Sequence, residues 1–483
     1  MYRSKNRDQL EFPDFYLPFS GHLDPENRWV ALAQLVPWEL SEKIYHADLC
    51  QDSGQPIVPA RVALGALLIK ERQGLTDRET VETIAENPYM QFFLGREEFT
   101  QEPLFDASLM VDFRKRFGED GIQRMAEAIA LASLKESESE SKTASDETDD
   151  SDPPANRGKM IADATCAPAD IRYPTDVSLL NEAREKTEEI IDELHAPLVG
   201  KAPRPRTYRV KARRRFVAFT KHKKPGRKKI RRAKREQLAF LRRNFKAIDR
   251  LLETPKALPL CGLSRRQYKN LLVTRELFRQ QLAMFENNSN RVDDRIVSIS
   301  QPHVRPIVRG KAGKPTEFGA KLSISVVGGF SFVDRRSWDS YNEGGDLIEQ
   351  IESYRRRFGC YPESAHVDKI YRNRKNRAYC KKHGIRMSGP PLGRKPQNVS
   401  AADKKQAAAD EAIRNHVEGK FGQAKRRFSL GRIMTKLAST SAAQISLSFL
   451  VMNLERALRQ LFLPIFLLCH AWCWAVFSRR LAD

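Results

Sequence analysis

Residues 157–176, which read RGKMIADATCAPADIRYPTD, decide the fold class. The short apolar run at 160–162 is typical of a buried strand, and Asp163 follows it directly. Further along, RIVSIS, KLSISVVGG and FSFVDRR have the β-branched and aromatic character of strands, and SAHV forms a short strand before Asp368. Helical patterns separate these runs. The alternation predicts an α/β fold built on a central sheet.

The first part of the chain has helical patterns only. Residues 61–73 form an amphipathic helix that ends at Gly74, and Thr76 and Glu79 have the spacing of a capping box for the next helix. A helical hairpin of this kind fits a DNA-binding helix-turn-helix and a plain helical bundle equally well. We predict an all-helical N-terminal domain over residues 1–133 that binds DNA.

The next two segments differ sharply in composition. Residues 134–156 hold eight acids among Ser and Thr, which predicts a disordered linker. Residues 157–460 contain all the predicted strands, and within them 177–294 return to helical patterns. We therefore predict an α/β core over 157–460 that is interrupted by a helical insertion over 177–294.

Charge indicates the partner. The net charge is +23, and residues 201–235 contribute 18 Lys and Arg with no Asp or Glu. Such a balance favours nucleic acid, although a basic run can also be a solvated arm. Tyr208, Phe216 and Phe219 interleave with the cations, as in surfaces that bind both phosphates and bases. The candidate DNA contacts here are Arg213, Arg214, Arg215, Lys228 and Lys229.

The cysteines and the C-terminal region carry weaker signals. Seven cysteines form no CxxC pair, which favours free thiols in a reducing cytoplasm. Residues 461–483 begin with an apolar run of 17 residues, interrupted by Pro464, at the low edge of a membrane span. We expect this tail to pack or self-associate and not to cross a membrane. No GxxxxGK[ST] loop is present, so no nucleotide cofactor is predicted.

Three acids stand out by their positions. Asp163 and Asp368 follow apolar strands, and Glu418 lies in a helix. Each alone is more often a cap or a surface charge, but together such carboxylates can hold two divalent metal ions. Asp170 and Asp176 compete for the first position, but neither follows a strand, and we expect them to cap the helix near residue 177.

The helix that contains Glu418 carries a spaced pattern. Arg414, Glu418 and Lys425 have the R(3)E(6)K spacing, which resembles the C-terminal signature of bacterial insertion-sequence DDE transposases of the insertion-sequence-five type. Glu411 stands where that signature has a Tyr. HVDKIYRNRKNRAYCKKHGIRMSGPPLGR and IADATCAPADIRYPTDVSLLNEARE resemble the family's blocks around the second and first Asp. The three acids follow in order, 205 and 50 residues apart.

This resemblance implies fold, activity and site. It implies an RNase H-like catalytic core that cleaves and rejoins DNA, with Asp163, Asp368 and Glu418 as catalytic residues and ligands of two Mg²⁺ or Mn²⁺ ions. It implies double-stranded DNA as the partner, both at the element's ends and at the target, a homodimer in the end-paired complex, and a place at the bacterial nucleoid in the cytoplasm. A catalytically silent DNA-binding derivative and an RNase H-like nuclease are the alternatives. The further DNA contacts it implies are Arg414, Lys425, Lys369, Tyr371 and Arg372.

Overall fold

The computed structural model describes residues 21–47, 57–142, 156–254, 257–308, 316–389 and 400–480, apart from the side chains of 137–142 and 462–480. The helices within these ranges are α1 (Arg28–Leu35), α2 (Trp38–Tyr45), α3 (Ala60–Gln73), α4 (Asp77–Glu86), α5 (Pro88–Phe93), α6 (Leu109–Lys142), α7 (Asp176–His195), α8 (Arg209–Thr220), α9 (Arg227–Glu253), α10 (Arg265–Glu286), α11 (Leu347–Phe358), α12 (Arg374–Lys382), α13 (Ala401–Arg427) and α14 (Ala438–Arg480). The strands are β1 (Lys159–Pro168), β2 (Arg305–Val308), β3 (Thr316–Val327), β4 (Phe330–Ser337), β5 (Ser364–Val367) and β6 (Arg386–Met387).

These strands form one mixed sheet. Its order is β2-β3-β1-β5-β6, and β4 pairs with β3. β2 and β4 each pair with β3 in the antiparallel direction. β5 pairs with β1 and with β6, in both cases in the parallel direction. The sheet and the helices between its strands confirm the predicted α/β class.

One predicted strand is wrong. Residues 295–300, RIVSIS, form no strand. Their buried side chains Ile296 and Ile299 pack into a core made by α7, α9 and α10. The alternation of apolar residues therefore reflects packing on helices and not pairing with a neighbouring strand.

The chain clusters into two compact units. The first contains the residues up to Pro168, Lys321–Ser337 and the residues from Tyr341 onward. The second contains Ala169–Ala320 and Trp338–Ser340. Helices α1 to α6 thus belong to the same unit as most of the sheet, because α14 packs along α6, α3 and α1.

The predicted helical hairpin of the first unit is confirmed. Gly74 ends α3 in the left-handed conformation, with φ of 72°, and its N–H donates to the Lys70 carbonyl at 2.9 Å. Thr76 and Glu79 form the predicted capping box of α4. Every residue of α3 from Val62 to Glu71 is buried, so α3 is a central helix of a bundle.

Helix α6 reaches into the segment that was predicted to be a linker. It kinks at Gly118, with φ of 61°, and continues to Lys142. The sequence KESESESK at 135–142 supports this extension because Glu and Lys are good helix formers. The rest of the predicted linker, 143–155, lies outside the described residues.

The predicted C-terminal tail begins inside a helix. Helix α14 runs through residue 480, and the side chains of the apolar run from 462 onward lie outside the described part. Among the residues that the structure describes, no helix is both long and apolar enough to cross a membrane.

The second unit is mainly helical. The apolar face of α7 is buried against α9 and α10. Within this core Arg184 is buried and pairs with Glu188 at 2.7 Å. Helix α8 contributes Ala212 to the buried residues and is otherwise largely exposed.

A buried side-chain amide on α14 forms hydrogen bonds with β4. The Asn453 side chain accepts from the Ser331 N–H and donates to the Ser331 carbonyl, both at 2.9 Å. Asn453 is 1% exposed. It therefore satisfies two backbone groups of β4 that have no access to water.

We expect Asn453→Ala to lower the free energy of unfolding by about 2–4 kcal/mol, because two buried backbone groups lose their partner. Urea denaturation followed by circular dichroism measures this. Arg459→Ala, at an exposed position of α14, is the matched control. Equal midpoints for the two variants would contradict this role for Asn453.

Candidate active site

The pairing of β1 with β5 positions two of the predicted acids. The strands run parallel with Ala162 opposite Val367, so the next residues, Asp163 and Asp368, come side by side. Neighbouring strands lie about 4.8 Å apart, which brings the two carboxylates within strong electrostatic range. The sheet register thus supplies a pair of adjacent acids.

Asp163 is the more enclosed of the two. Its carboxylate accepts from the Ala164 N–H at 2.7 Å. Burial raises the pKa of Asp163 to about 6, and the charges of Asp368 and Glu343 act in the same direction. Arg414 opposes the shift. The carboxylate is therefore held where its negative charge is unfavourable unless a cation is near.

Asp368 begins a tight turn after β5. It is exposed, and its carboxylate accepts from the Lys369 N–H at 2.7 Å. Lys369 is also exposed. Arg372 donates to the Val367 carbonyl at 2.9 Å, so its guanidinium supports the end of β5.

Tyr371 lies in the interior, unlike the DNA contact that the resemblance implied. Its side chain is 0% exposed, and it ends the short turn that begins at Asp368. Burial, then the Asp163 charge, raises the pKa of the phenol. The hydroxyl has no hydrogen-bond partner among the described residues. Tyr371 therefore borders Asp163 from inside the fold.

Helix α13 is held near the two acids by one contact within the helix and one beyond its end. It packs against β1 and β5. About a third of the way along α13, Asp410 accepts two hydrogen bonds from Arg386 of β6, at 2.7 and 3.0 Å. Just beyond its end, the Ile433 N–H donates to the Pro168 carbonyl of β1 at 2.8 Å. The position of Arg414 and Glu418 along the sheet is set by these anchors.

Arg414 is the positive charge at the centre of the site. It donates to Glu411 at 2.6 Å and lies 3.6 Å from Glu418. It also interacts electrostatically with Asp163 and Asp368. The structure therefore brings Asp163, Asp368 and Arg414 together.

Glu418 lies at the outer side of this group. Its side chain is 64% exposed and faces Arg414, one helical turn earlier. Among the described residues, no three His, Cys, Asp or Glu side chains converge as a group that could hold a metal ion. The three predicted acids are thus neighbours through Arg414 and are not gathered at one point.

Lys425 lies two turns beyond Glu418. It is half-buried and lines a cavity of about 1100 Å³ in the first unit. Arg78 at the start of α4, Arg432 and Lys436 line the same cavity. Cations from the N-terminal bundle and from the end of α13 therefore share one concave surface.

The predicted DNA contacts of the basic segment lie in the second unit, on α8 and α9. Arg213, Arg214 and Arg215 on α8, and Lys228 and Lys229 on α9, are all exposed. Arg215 also pairs with Glu236 at 3.3 Å. The charges of Arg213, Arg214, Lys228 and Lys229 are thus available to solvent and to a polyanion.

The sequence did not reveal several residues that shape the surroundings of Asp163 and Arg414. Glu343 acts electrostatically on Asp163 from a turn after β4, and no motif marks it. Asp410 positions α13 from a stretch whose sequence is that of an ordinary charged helix.

Asp176 is not the cap of α7, because Thr175 caps that helix. Asp176 instead pairs with Lys234 and Arg295.

Comparison with known families adds to this geometry. Residues 365–455 match the family described as Transposase DDE domain, and residues 18–116 match the Transposase domain (DUF772). The first match covers Asp368 and Glu418. An uncharacterized protein, ORF8 in the nfe locus of Rhizobium meliloti, is 30% identical over 161 residues, which is 33% of this chain and 71% of that protein. No solved structure matches the chain.

The raised pKa of Asp163 predicts a gain in stability on its neutralisation. The folded protein holds this proton more tightly than the unfolded chain, so the stability contributed by the group is lost as pH rises from 3.8 to about 6. We expect Asp163→Asn to stabilise the metal-free protein at pH 7.5 by an amount on the order of 2 kcal/mol. Thermal unfolding in EDTA measures this gain.

Two comparisons make that test specific. The gain should shrink at pH 4.5, where the wild-type carboxyl is mostly protonated, and exposed Asp120→Asn should give no such gain. Added Mg²⁺ should raise the unfolding temperature of the wild type more than that of Asp163→Asn. An Asp163→Asn protein less stable than wild type at pH 7.5 would show that this carboxylate supports the metal-free fold.

Proposed function

Because this chain belongs to the bacterial insertion-sequence DDE transposases, we propose that it cleaves DNA at the ends of an insertion element and joins those ends to target DNA. The observation that carries the proposal is the pairing of β1 with β5, which sets Asp163 beside Asp368. The RNase H-like character of the core is part of the proposal. It is supported by the order strand, helical insertion, strands, helix, strand and helix.

We further propose that Asp163, Asp368 and Glu418 hold two Mg²⁺ or Mn²⁺ ions. Carboxylate oxygens are the ligands such hard cations prefer. The raised pKa of Asp163 fits this role, because a cation would relieve the cost of its buried charge. Glu418 would turn from Arg414 toward the two Asp. When bound, the ions supply charge stabilisation at the reacting phosphate.

The cationic side chains of the site have a separate task. Arg414 can hold two oxygens of a phosphate in its planar fork, and Lys425 and Lys369 can neutralise neighbouring phosphates. A water or a terminal 3′-hydroxyl then attacks phosphorus in line as the opposite P–O bond breaks. Tyr371, buried near Asp163, would help to exclude water from that carboxylate and would not contact DNA.

DNA binding is proposed to involve both units. The bundle of α1 to α6 includes the segment that matches a transposase domain, and α4 presents Arg78 at its start. This bundle would read the ends of the element, and the basic segment 201–235 would bind phosphates without regard to sequence. A homodimer would hold two ends together.

Substitution of the three acids tests the chemistry. Asp163→Asn, Asp368→Asn and Glu418→Gln should each lower Mg²⁺-dependent cleavage of an end-containing duplex by about a hundredfold or more, because each loss removes a ligand of the charge-stabilising ions. Binding to the same duplex should change by less than about threefold. Gel assays of cleavage and of strand-transfer products measure both properties.

The control is Glu349→Gln, at an exposed acid of α11 whose pair with Arg356 is also exposed. It should cleave at the wild-type rate. Cleavage by Asp163→Asn at the wild-type rate would remove it from the ligand set. Hydrolysis without joined products would identify a nuclease, and binding without either product would identify a silent DNA-binding protein.

The basic segment predicts a salt effect. Replacement of the exposed residues Arg213, Arg214, Lys228 and Lys229 by Gln should flatten the dependence of log affinity on log salt by about 0.9 for each phosphate that the protein no longer neutralises. Affinity should fall equally for element ends and for random DNA. Loss of discrimination between the two would instead make the segment a reader of sequence.

A further inference from the structure

The second unit contains a cavity that the proposed chemistry does not use. Its volume is about 620 Å³, and it lies between the start of α7, helix α8 and the start of α9. Pockets that hold small organic ligands have volumes of roughly 300–1,000 Å³. The cavity is thus large enough for one or two nucleotides and too small for a duplex.

Aromatic side chains line part of this cavity. Phe216 and Phe219 lie three residues apart on α8 and therefore share one face of the helix. Both are half-buried. Tyr173 is 70% exposed and meets Phe318 edge-on, with 5.7 Å between ring centroids. These rings offer flat apolar surface at a place that solvent can reach.

Cations line the rest of the cavity. Arg172 and Lys223 are exposed. Lys234 and Arg295 both pair with Asp176, the acid that lines the cavity with them. The lining therefore has a clear positive excess, and its exposed cations are not the ones tied to Asp176.

We propose that this cavity binds an unpaired nucleotide of DNA, with its base against Phe216 and Phe219 and its phosphate at Arg172 and Lys223. The inference rests on the proposed function in taking DNA as the polymer. In a duplex the faces of the bases are stacked on one another, so phosphates alone would reach such a surface. An unpaired base has a free face, and base stacking on aromatic rings is favourable for every base.

Binding of designed hairpin DNAs to the full-length chain tests this assignment. One hairpin is blunt, one carries three unpaired thymidines at its 3′ end, and one carries three abasic sites there. Fluorescence anisotropy in EDTA measures affinity without cleavage. We expect the thymidine overhang to bind at least about tenfold more tightly than the other two.

Substitutions in and around the cavity show which side chains cause the preference for the thymidine overhang. Phe216→Ala with Phe219→Ala should abolish the preference for the thymidine overhang and leave blunt binding within about twofold of the wild type. Tyr173→Ala, at an exposed position, should weaken the same preference without risk to the fold. Val217→Ala, at an exposed position of α8 that does not line the cavity, should retain it.

Equal affinity for blunt and overhang DNA would overturn the inference, as would an unchanged preference in both the double variant and Tyr173→Ala. A preference shared equally by the abasic overhang would show phosphate binding alone and also overturn it. The proposed function can be contradicted independently of this cavity assignment. A protein that prefers the thymidine overhang but never cleaves in Mg²⁺ would contradict the transposase chemistry and support the cavity assignment.

Discussion

The parallel register of β1 and β5 is the constraint on which the site depends. Met160, Ala162, Ala365 and Val367 are each fully buried, and this apolar set fixes the pairing. A slip of one residue would turn every side chain of a strand to the opposite face of the sheet. Hydrophobic packing therefore forces Asp163 against Asp368, although the two charges repel each other. Burial of the Asp163 carboxylate, and to a smaller extent the charge of Asp368, raises the pKa of Asp163 to about 6.

Helix α13 partly offsets this cost. Its polar anchor, Asp410 with Arg386, lies one turn before Arg414, and so the guanidinium comes to rest near both Asp163 and Asp368. Yet Arg414 is shared with Glu411 and Glu418, which limits the charge it offers the two Asp. A site with more carboxylates than cations has an unmet demand for positive charge, and divalent ions would meet it.

The sequence predicted those features that depend on local chemistry. The capping box at Thr76, the end of α3 at Gly74 and the strands before Asp163 and Asp368 were all visible in short patterns. Features that depend on distant contacts were not visible. The extended run at 295–300 packs on helices, and Glu343 reaches Asp163 only through the fold. Burial of Tyr371 likewise depends on the fold around it, whereas its place beside Asp368 in the sequence had suggested a DNA contact.

The distribution of charge along the chain fits the proposed cleavage of DNA. Acids that attract metal ions repel phosphates, and Arg414, which interacts with both Asp, is also bound to Glu411. The attraction for a polyanion must then come from other residues. Under the proposed function the 18 cations of residues 201–235, most of which lie on α8 and α9, would supply it. Under the proposed function, cations outside the group of Asp163, Asp368 and Arg414 would attract DNA and leave those acids free for metal ions.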